Sequence, residues 1–388
     1  MKNIKFLHVF GPDTKNSYGI MSQLHKTCDL NKHKFLITAY SSCKTRFPKL
    51  EEFPDLIFIP EAGGRFERMV FFYKILSESE IIIWHSLYFT TPKYTYFLYM
   101  FRKFLNKSVW IEWGADLYLW KYSEKSWKGR LKNKVNKTLR EKFRIVGCTF
   151  PVDEIEVYHQ FGSQVRCFYT PLPNPMKEAT GLIDLIISCK PKNENEDSTR
   201  IQIAHNSFQF NNHIKIIELL KRYKDNNVRF ILPLSYGIYG INGQYGGKLY
   251  RDAVIKYAKE NLDNKVTILY KNMDFQRYIR FLWKIDIAVF DFDRPCGLGT
   301  LRILLLMEKK IFLPSGTPYY NFLISQGLPI CDTNKISEMT FEEFIKPVKY
   351  TTNKWVLSYM NNDEVIKEWS HMFRELESNI NKERGKAN

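Results

Sequence analysis

Short apolar runs alternate along this chain with longer segments in which apolar residues return every three or four positions. The runs in the first half are IKFLHVFG (4–11), KFLITAY (34–40), LIFIP (56–60), IIIWH (81–85), SVWIEW (108–113) and RIVGCTF (144–150). Apolar runs this short, closed by Gly, Pro or polar residues, read as strands buried on both faces. Between them, RFERMVFFYKILSES (65–79) and the stretch 120–143 carry a helical spacing. Strands alternating with helices predict a parallel sheet covered by helices.

The pattern breaks at SCKPKNENEDSTR (188–200), which is polar, charged and without apolar periodicity, and then resumes. Strands are expected in RIQIAHNS (200–207), VRFILPLSYG (228–237), VTILY (266–270), IDIAVFDF (285–292) and KIFLP (310–314). Helices are expected at 211–224, 248–262, 274–283 and 298–308, and an amphipathic helix at 362–380. The division this implies is a first Rossmann-like domain over 1–187, a linker at 188–200 and a second Rossmann-like domain over 201–354. The terminal segment 355–388 is expected to pack back on the first domain. Such domains bind ligands beyond the carboxyl ends of their strands.

Charge narrows the partners. The 388 residues have a formal net charge of +17 and an aromatic share of 15%. That excess calls for an anionic partner: nucleic acid, anionic lipid or a phosphorylated substrate. Between 121 and 144 there are ten Lys/Arg and two acidic residues, interleaved with Trp127, Leu131 and Phe143. YTYFLYMFRKFLNK (94–107), just upstream, is aromatic and basic too. This composition suits an anionic membrane surface. A nucleic-acid partner has no recognisable module here and is not expected. No apolar run reaches the roughly 18 residues of a spanning helix. The opening MKNIKFLHVFG does not read as a signal peptide, because His8 interrupts its apolar stretch. Seven scattered cysteines without a paired motif suit a reducing compartment. The expected location is therefore cytoplasmic, at the membrane surface.

Candidate chemistry clusters where strands are expected to end. In FDFDRPCGLGTLRILLLMEKK (290–310), Gly297, Gly299 and Thr300 open a helix just after Arg294. A helix start with glycines lets backbone N–H groups approach a phosphate, and Arg294 suits the same anion. Asp291 and Asp293 resemble a metal-binding pair, but a solvated strand end is the favoured reading, so no metal site and no cofactor are expected. Asn206 and Ser207 follow the first strand of the second domain, where they can bind a phosphate or base, or cap the next helix. Tyr236 is a candidate stacking residue. In the first domain His8, Gly11 and Asp13 flank the first turn, His85 ends a strand, and Asp116 sits in IEWGADLYLW (111–120) among Trp113, Tyr118 and Trp120. Asp116 is open to two readings: a helix cap behind Gly114, or a base facing a cleft with aromatic walls.

Several of these stretches, in order, resemble the family 56 glycosyltransferases, the Fuc4NAc transferases that complete lipid III of enterobacterial common antigen. They are HVFGPD (8–13), the strand ending at His85, WGADLY (113–118), VGC (146–148), FYTPLPNP (168–175), HNS with NNH (205–213), ILPLSYG (231–237) and FDFDRPCGLGT (290–300). The resemblance implies a GT-B fold, two Rossmann-like domains facing each other across a cleft, an architecture also used by some epimerases and binding proteins. It implies a hexosyltransferase that needs no metal. The donor would be a dTDP-linked 4-acetamido-4,6-dideoxyhexose, or another dTDP or UDP sugar for capsule or O-antigen. The acceptor would be an undecaprenyl-diphosphate-linked saccharide at the cytoplasmic face of the bacterial inner membrane, with the enzyme peripheral there. Asp116 and His85 are the expected catalytic pair. Asn206, Ser207, Tyr236, Arg294, Gly297, Gly299 and Thr300 are expected at the donor, and His8, Gly11, Asp13, Trp113 and Tyr118 at the acceptor. A non-catalytic glycan- or lipid-binding scaffold on the same fold is the other reading. Insertions near 176–200 and 237–247 leave the donor sugar open.

Overall fold

The structure, a computed structural model, describes residues 4–11, 14–40, 53, 56–87, 92–118, 127–172, 182–191, 198–235, 247–292, 294–350, 354–358 and 363–387. The chain divides into two compact units, Met1–Glu178 with Asn361–Asn388, and Ala179–Met360.

The first unit holds a parallel sheet of β1 (Ile4–Phe10), β2 (His33–Tyr40), β3 (Leu56–Ile59), β4 (Ser79–His85), β5 (Ser108–Ile111), β6 (Ile145–Cys148) and β7 (Arg166–Tyr169), in the order β3-β2-β1-β4-β5-β6-β7. The second holds β8 (Thr199–Ile203), β9 (Val228–Pro233), β10 (Val266–Leu269), β11 (Ile287–Val289), β12 (Lys310–Leu313) and β13 (Ile330–Asp332), in the order β10-β9-β8-β11-β12-β13. Neighbouring strands run parallel; in the first sheet His8 lies opposite Phe35 on β2 and Ile83 on β4. Each order runs outward from the first strand and then reverses, so each sheet has a switch point, at β1/β4 and at β8/β11. There the loops after the two strands diverge and leave a crevice at the carboxyl edge.

Both faces of the first sheet are covered, which is why its strands are apolar throughout. Leu7, Val9, Ile82, Trp84 and Trp110 pack toward one set of helices with Phe72, Phe97 and Leu139. Phe6, Phe10, Phe35, Ile83 and Ile111 pack the other way, against Ile20 and Leu24 and against Trp369, Met372 and Phe373 of the terminal helix Asp363–Ala387. Trp369 Nε1 donates to the Pro171 carbonyl at 3.1 Å. Glu377 pairs with Lys5 at 3.0 Å. In the second unit Lys310 is buried, yet its ammonium is satisfied: it donates to the carbonyls of Glu343, Phe344 and Lys346 at 3.0, 2.7 and 2.9 Å, capping the end of the helix Phe341–Ile345.

Two boundaries differ from the sequence reading. The helix Leu182–Ser188, expected at the end of the first domain, belongs to the second unit, because Trp283 Nε1 donates to its Ile186 carbonyl at 2.6 Å. The polar stretch 188–200 is therefore not the crossing point, and its end is already β8. The helix Lys354–Ser358 also stays with the second unit, while the helix from Asp363 lies on the first. The apolar pattern does not predict β7 or β13. Both are short edge strands with polar residues (Arg-Cys-Phe-Tyr and Ile-Cys-Asp), so neither carries a buried-strand pattern.

Candidate functional site

In the second unit the switch point gathers His205, Asn206 and Ser207 after β8 and Asp291, Arg294 and Gly297 after β11. Ala204, at φ +57°, turns the chain out of β8. Asn206 then organises the turn. Its Oδ1 accepts from the Phe208 amide at 3.0 Å and from Asn211 Nδ2 at 2.7 Å, and its Nδ2 donates to His205 Nε2 at 2.7 Å. Ser207 is buried behind it. Asn206 thus holds the turn after β8 together; it does not cap a helix, since the helices that follow begin from Phe208 and Asn212 without a side-chain cap.

Gly297 caps the helix Leu298–Leu306 in the left-handed region, φ +64°, with no side chain closing the first turn. A Cβ there would stand 2.9 Å from the His205 ring. Both the dihedral and the approach require glycine. Among the described residues no side chain takes the N–H groups at 298–300, which are left for whatever lies in front of the helix. Gly299 lies within the first turn itself. Beside it, the Arg294 guanidinium rests over the Phe210 ring at 4.4 Å, and its Nε is buried with no hydrogen-bond partner among the described residues. Burial holds His205 down to about 3 and His213 to about 4, so both are neutral imidazoles. The fixed positive potential here comes from Arg294 and the helix end.

Of the expected donor residues Thr300 is committed elsewhere, and so is Asp291, which is not among those expected at the site. Thr300 Oγ1 hydrogen-bonds Tyr278 OH at 2.6 Å, tying two helices together. The Asp291 carboxylate pairs with Lys215 Nζ at 2.5 Å. Asp293 and Tyr236 lie outside the described residues, and among those no group of three or more His, Cys, Asp or Glu is placed to hold a metal ion.

At the switch point of the first unit, β1 ends at Phe10 and Gly11, and β4 at His85 and Ser86. Gly11 is buried, and Asp13 lies outside the described residues. His85 is fully buried, stacked on Phe10 at 4.0 Å and on Trp369 at 5.8 Å, with Trp113 at 6.3 Å. His8 Nδ1 lies 2.9 Å from His85 Nε2, and His8 Nε2 lies 2.9 Å from His33 Nδ1. His85 Nδ1 has no partner among the described residues.

Asp116 has the geometry of a clamp. It is 5% exposed. Oδ2 accepts from the Leu87 amide at 3.0 Å and from Trp110 Nε1 at 2.6 Å, and Oδ1 accepts from the Trp113 amide at 2.9 Å. Three donors from three segments occupy both oxygens and fasten the end of β4 to β5 and to the turn at Gly114 (φ +73°). Arg140 donates to the Asp116 carbonyl at 2.5 Å. Burial raises the Asp116 pKa, opposed by those three hydrogen bonds. This is a tertiary clip rather than a helix cap, because Asp116 lies inside the helix Ala115–Tyr118 and accepts from the amide of Trp113 upstream of it. Of the aromatic wall expected to hold a sugar, Tyr118 is turned inward, its OH donating to Asp153 Oδ1 at 2.7 Å, and Trp120 lies outside the described residues.

Sequence reasoning passes over the neighbours of Asp116. Glu112 is fully buried and accepts from the Gly114 amide at 2.5 Å and from the Thr149 amide at 2.7 Å. Burial, then Asp153 and Asp116, push its carboxyl well above the usual range. A charged residue inside the run SVWIEW is the available signal. His33 escapes as well, since nothing in the sequence brings it to His8.

The family model for 4-alpha-L-fucosyltransferase, glycosyl transferase group 56, matches residues 77–377. The chain belongs to that family and is a glycosyltransferase of the hexosyl-transferring kind. Sucrose-phosphate synthase from Thermosynechococcus elongatus is similar in fold, with a TM-score of 0.63 and 12% identity over 97% of this chain and 99% of that one. Anabaena HepE, solved with UDP and glucose, has a TM-score of 0.58 and 11% identity over 94% and 92%. The UDP-forming alpha,alpha-trehalose-phosphate synthase from Burkholderia vietnamiensis gives 0.57 and 9% over 96% and 100%. The two parallel sheets are thus the Rossmann-like domains of a GT-B glycosyltransferase.

Proposed function

We propose that this member of glycosyl transferase group 56 transfers a dTDP- or UDP-linked sugar, of the 4-acetamido-4,6-dideoxyhexose type, to a hydroxyl of a polyprenyl-diphosphate-linked saccharide. The observation that carries the donor half is the open helix start at Gly297 beside Arg294. A diphosphate there meets N–H groups at 298–300, the positive end of the helix dipole and a guanidinium with an N–H unused among the described residues. These groups offset charge on the departing nucleoside diphosphate, so the reading needs no metal. That the fold relative HepE was solved with UDP and glucose agrees with this class of donor.

The acceptor is assigned to the carboxyl edge of the first sheet, beside His85. In the transfer step the acceptor oxygen bonds the anomeric carbon, and the bond from that carbon to the diphosphate oxygen breaks. The electron pair leaves with the diphosphate, and the hydroxyl proton goes to His85 Nδ1. Asp116 is not given that proton, because both of its oxygens already hold segments of the fold together by accepting hydrogen bonds.

A peripheral position at the cytoplasmic membrane surface is supported by the helix Trp127–Arg140, where Trp127, Arg130, Leu131, Lys134 and Lys137 are exposed. Each basic group near an anionic surface contributes about 1 kcal/mol. No described helix is long and apolar enough to cross a membrane.

The test is a melting series with dTDP, UDP, GDP, ADP and CMP, with and without Mg²⁺. A ligand that binds the native state raises Tm. A selective rise with dTDP or UDP that ignores Mg²⁺ is expected. No rise with any nucleotide would favour the non-catalytic scaffold.

A further inference from the structure

Three histidines cross one face of the first sheet in a single line. His33 opens β2 at the amino edge, opposite Phe6; His8 lies in the middle of β1; His85 ends β4 at the carboxyl edge, opposite Phe10. Both ring-to-ring contacts are 2.9 Å between nitrogens. The rings are held by stacking: His33 on Phe6 at 4.7 Å, His8 on Phe35 at 5.0 Å and His85 on Phe10 at 4.0 Å. We propose that His33, His8 and His85 form a proton relay that links the acceptor side of the sheet to its opposite edge.

The proton count of the line allows little choice. All three rings are held neutral by burial, which lowers each pKa. A neutral imidazole carries one proton on one of two nitrogens. Each N···N contact needs one proton and one lone pair. Only two arrangements of three protons satisfy both contacts. In the first, all three protons are on Nε2 and the lone pair of His85 Nδ1 is free. In the second, all three are on Nδ1 and the lone pair of His33 Nε2 is free. Adding a proton at His85 Nδ1, passing one across each contact and releasing one from His33 Nε2 converts the first into the second. No imidazolium remains buried afterwards. The reverse shift restores the first.

This removes the objection to His85 as a base. Alone, a fully buried histidine is a poor proton acceptor, since the charge it would gain has no solvent and, among the described residues, no carboxylate partner. Coupled through His8 to His33, it exports that charge. The charged and titratable groups bearing on the line are Glu377 of the terminal helix, Asp29, Lys32 and Lys5 at the His33 end, and His25 beside His8. The acidic pair and the ion pairs of Glu377 with Lys5 and Lys32 put a polar, charged environment at that end, and among the described residues no charged group acts on His85. His8 and His33 are positioning and relay residues; His85, whose buried Nδ1 has no partner among the described residues, stands at the end proposed for the acceptor.

The proposal rests on the glycosyl-transfer reading for its purpose, but its wiring is testable without it. In protein labelled with ¹⁵N-histidine, NMR should show the three rings in one common tautomeric sense, with nitrogen–nitrogen coupling across both contacts. A doubly protonated His8, or no coupling, would overturn the relay whether or not a donor is ever found. With a donor in hand, wild-type turnover should show a curved dependence on D₂O fraction, reporting more than one proton in flight. The His33→Phe variant, if it melts as the wild type does, should lose at least tenfold in kcat, keep its donor KM, and give a linear dependence. His33→Gln serves if the Phe variant does not fold. A folded variant with unchanged kcat and isotope profile would refute the relay. Intact couplings with no sugar transfer from any donor would refute the glycosyl-transfer reading instead.

Discussion

Gly297 and His205 stand face to face: the position a Cβ would take on Gly297 is 2.9 Å from the imidazole ring. One residue supplies an uncapped helix start and the other the wall behind it, and neither tolerates bulk between them. Gly297→Ala therefore meets two penalties, a left-handed φ of +64° and a clash with a buried ring. About 1–3 kcal/mol of backbone strain is expected, with loss of the nucleotide-dependent rise in Tm. Calorimetric titration of the nucleotide onto the variant checks it; unaltered affinity would remove the helix start from the donor site.

Arg294 has an N–H without a partner among the described residues and a fixed seat over Phe210. Arg294→Lys keeps the charge but neither the planar stack nor the fork. We expect nucleotide affinity to fall by about tenfold or more, the scale of losing one charge-assisted hydrogen bond of roughly 1.5–3 kcal/mol. Phe210→Leu should reproduce part of that loss by unseating the guanidinium. Equal binding by all three proteins would place the diphosphate elsewhere.

Asp116→Asn distinguishes a clip from a base. An amide cannot accept at both ends, so at least one of the donors from Leu87, Trp110 and Trp113 loses its partner. A destabilisation of about 2 kcal/mol is expected, read by denaturant unfolding, with turnover per folded molecule largely retained. A fall in turnover of several orders of magnitude at unchanged stability would return Asp116 to the chemistry.

Acid should weaken the second unit in a defined window. His205 and His213 titrate at about 3 and about 4 when folded, against an ordinary value of 6.5. Their pKa values are depressed and the neutral form is the native one, so the unfolded chain binds more protons below pH 6.5. Stability is therefore intact above that pH and falls as pH drops toward 4, by up to about 1.4 kcal/mol per pH unit for each histidine. Unfolding free energies between pH 7 and pH 4.5 check the slope, and His213→Asn should flatten it.

Glu112 has the opposite sign. Its carboxyl pKa is raised well above 4.5 in the folded state, so the native chain binds the extra proton. Its contribution is most favourable below pH 4.5 and is lost as pH rises toward the folded pKa. The stability of the wild type relative to Glu112→Gln should decline steadily above pH 4.5. A difference independent of pH would mean that the carboxyl is not held protonated.

Much of the architecture is legible in the order of residues. Eleven of the described strands announce themselves as apolar runs, because a strand buried on both faces must be apolar along its length. The helix start at Gly297 is legible for a similar reason, since glycine and arginine after a strand are local signals. β7 and β13 are not, because an edge strand is not obliged to be apolar. Nor is the place of the helix Leu182–Ser188, which one hydrogen bond from Trp283 ties to the second unit.

Local pattern is enough to establish that Asp116 follows a strand and a glycine turn, and that His8 and His85 lie on strands. What those groups do depends on contacts between distant segments. Asp116 becomes a clip because the ends of β4 and β5 bring Leu87 and Trp110 to it across the sheet. His33, 25 residues from His8, joins the line because parallel pairing sets β2 beside β1 in a register that stacks the rings. Strand formation is written in the alternation of apolar and polar residues. Register and strand order set which side chains meet, and they are settled by the packing of the whole sheet.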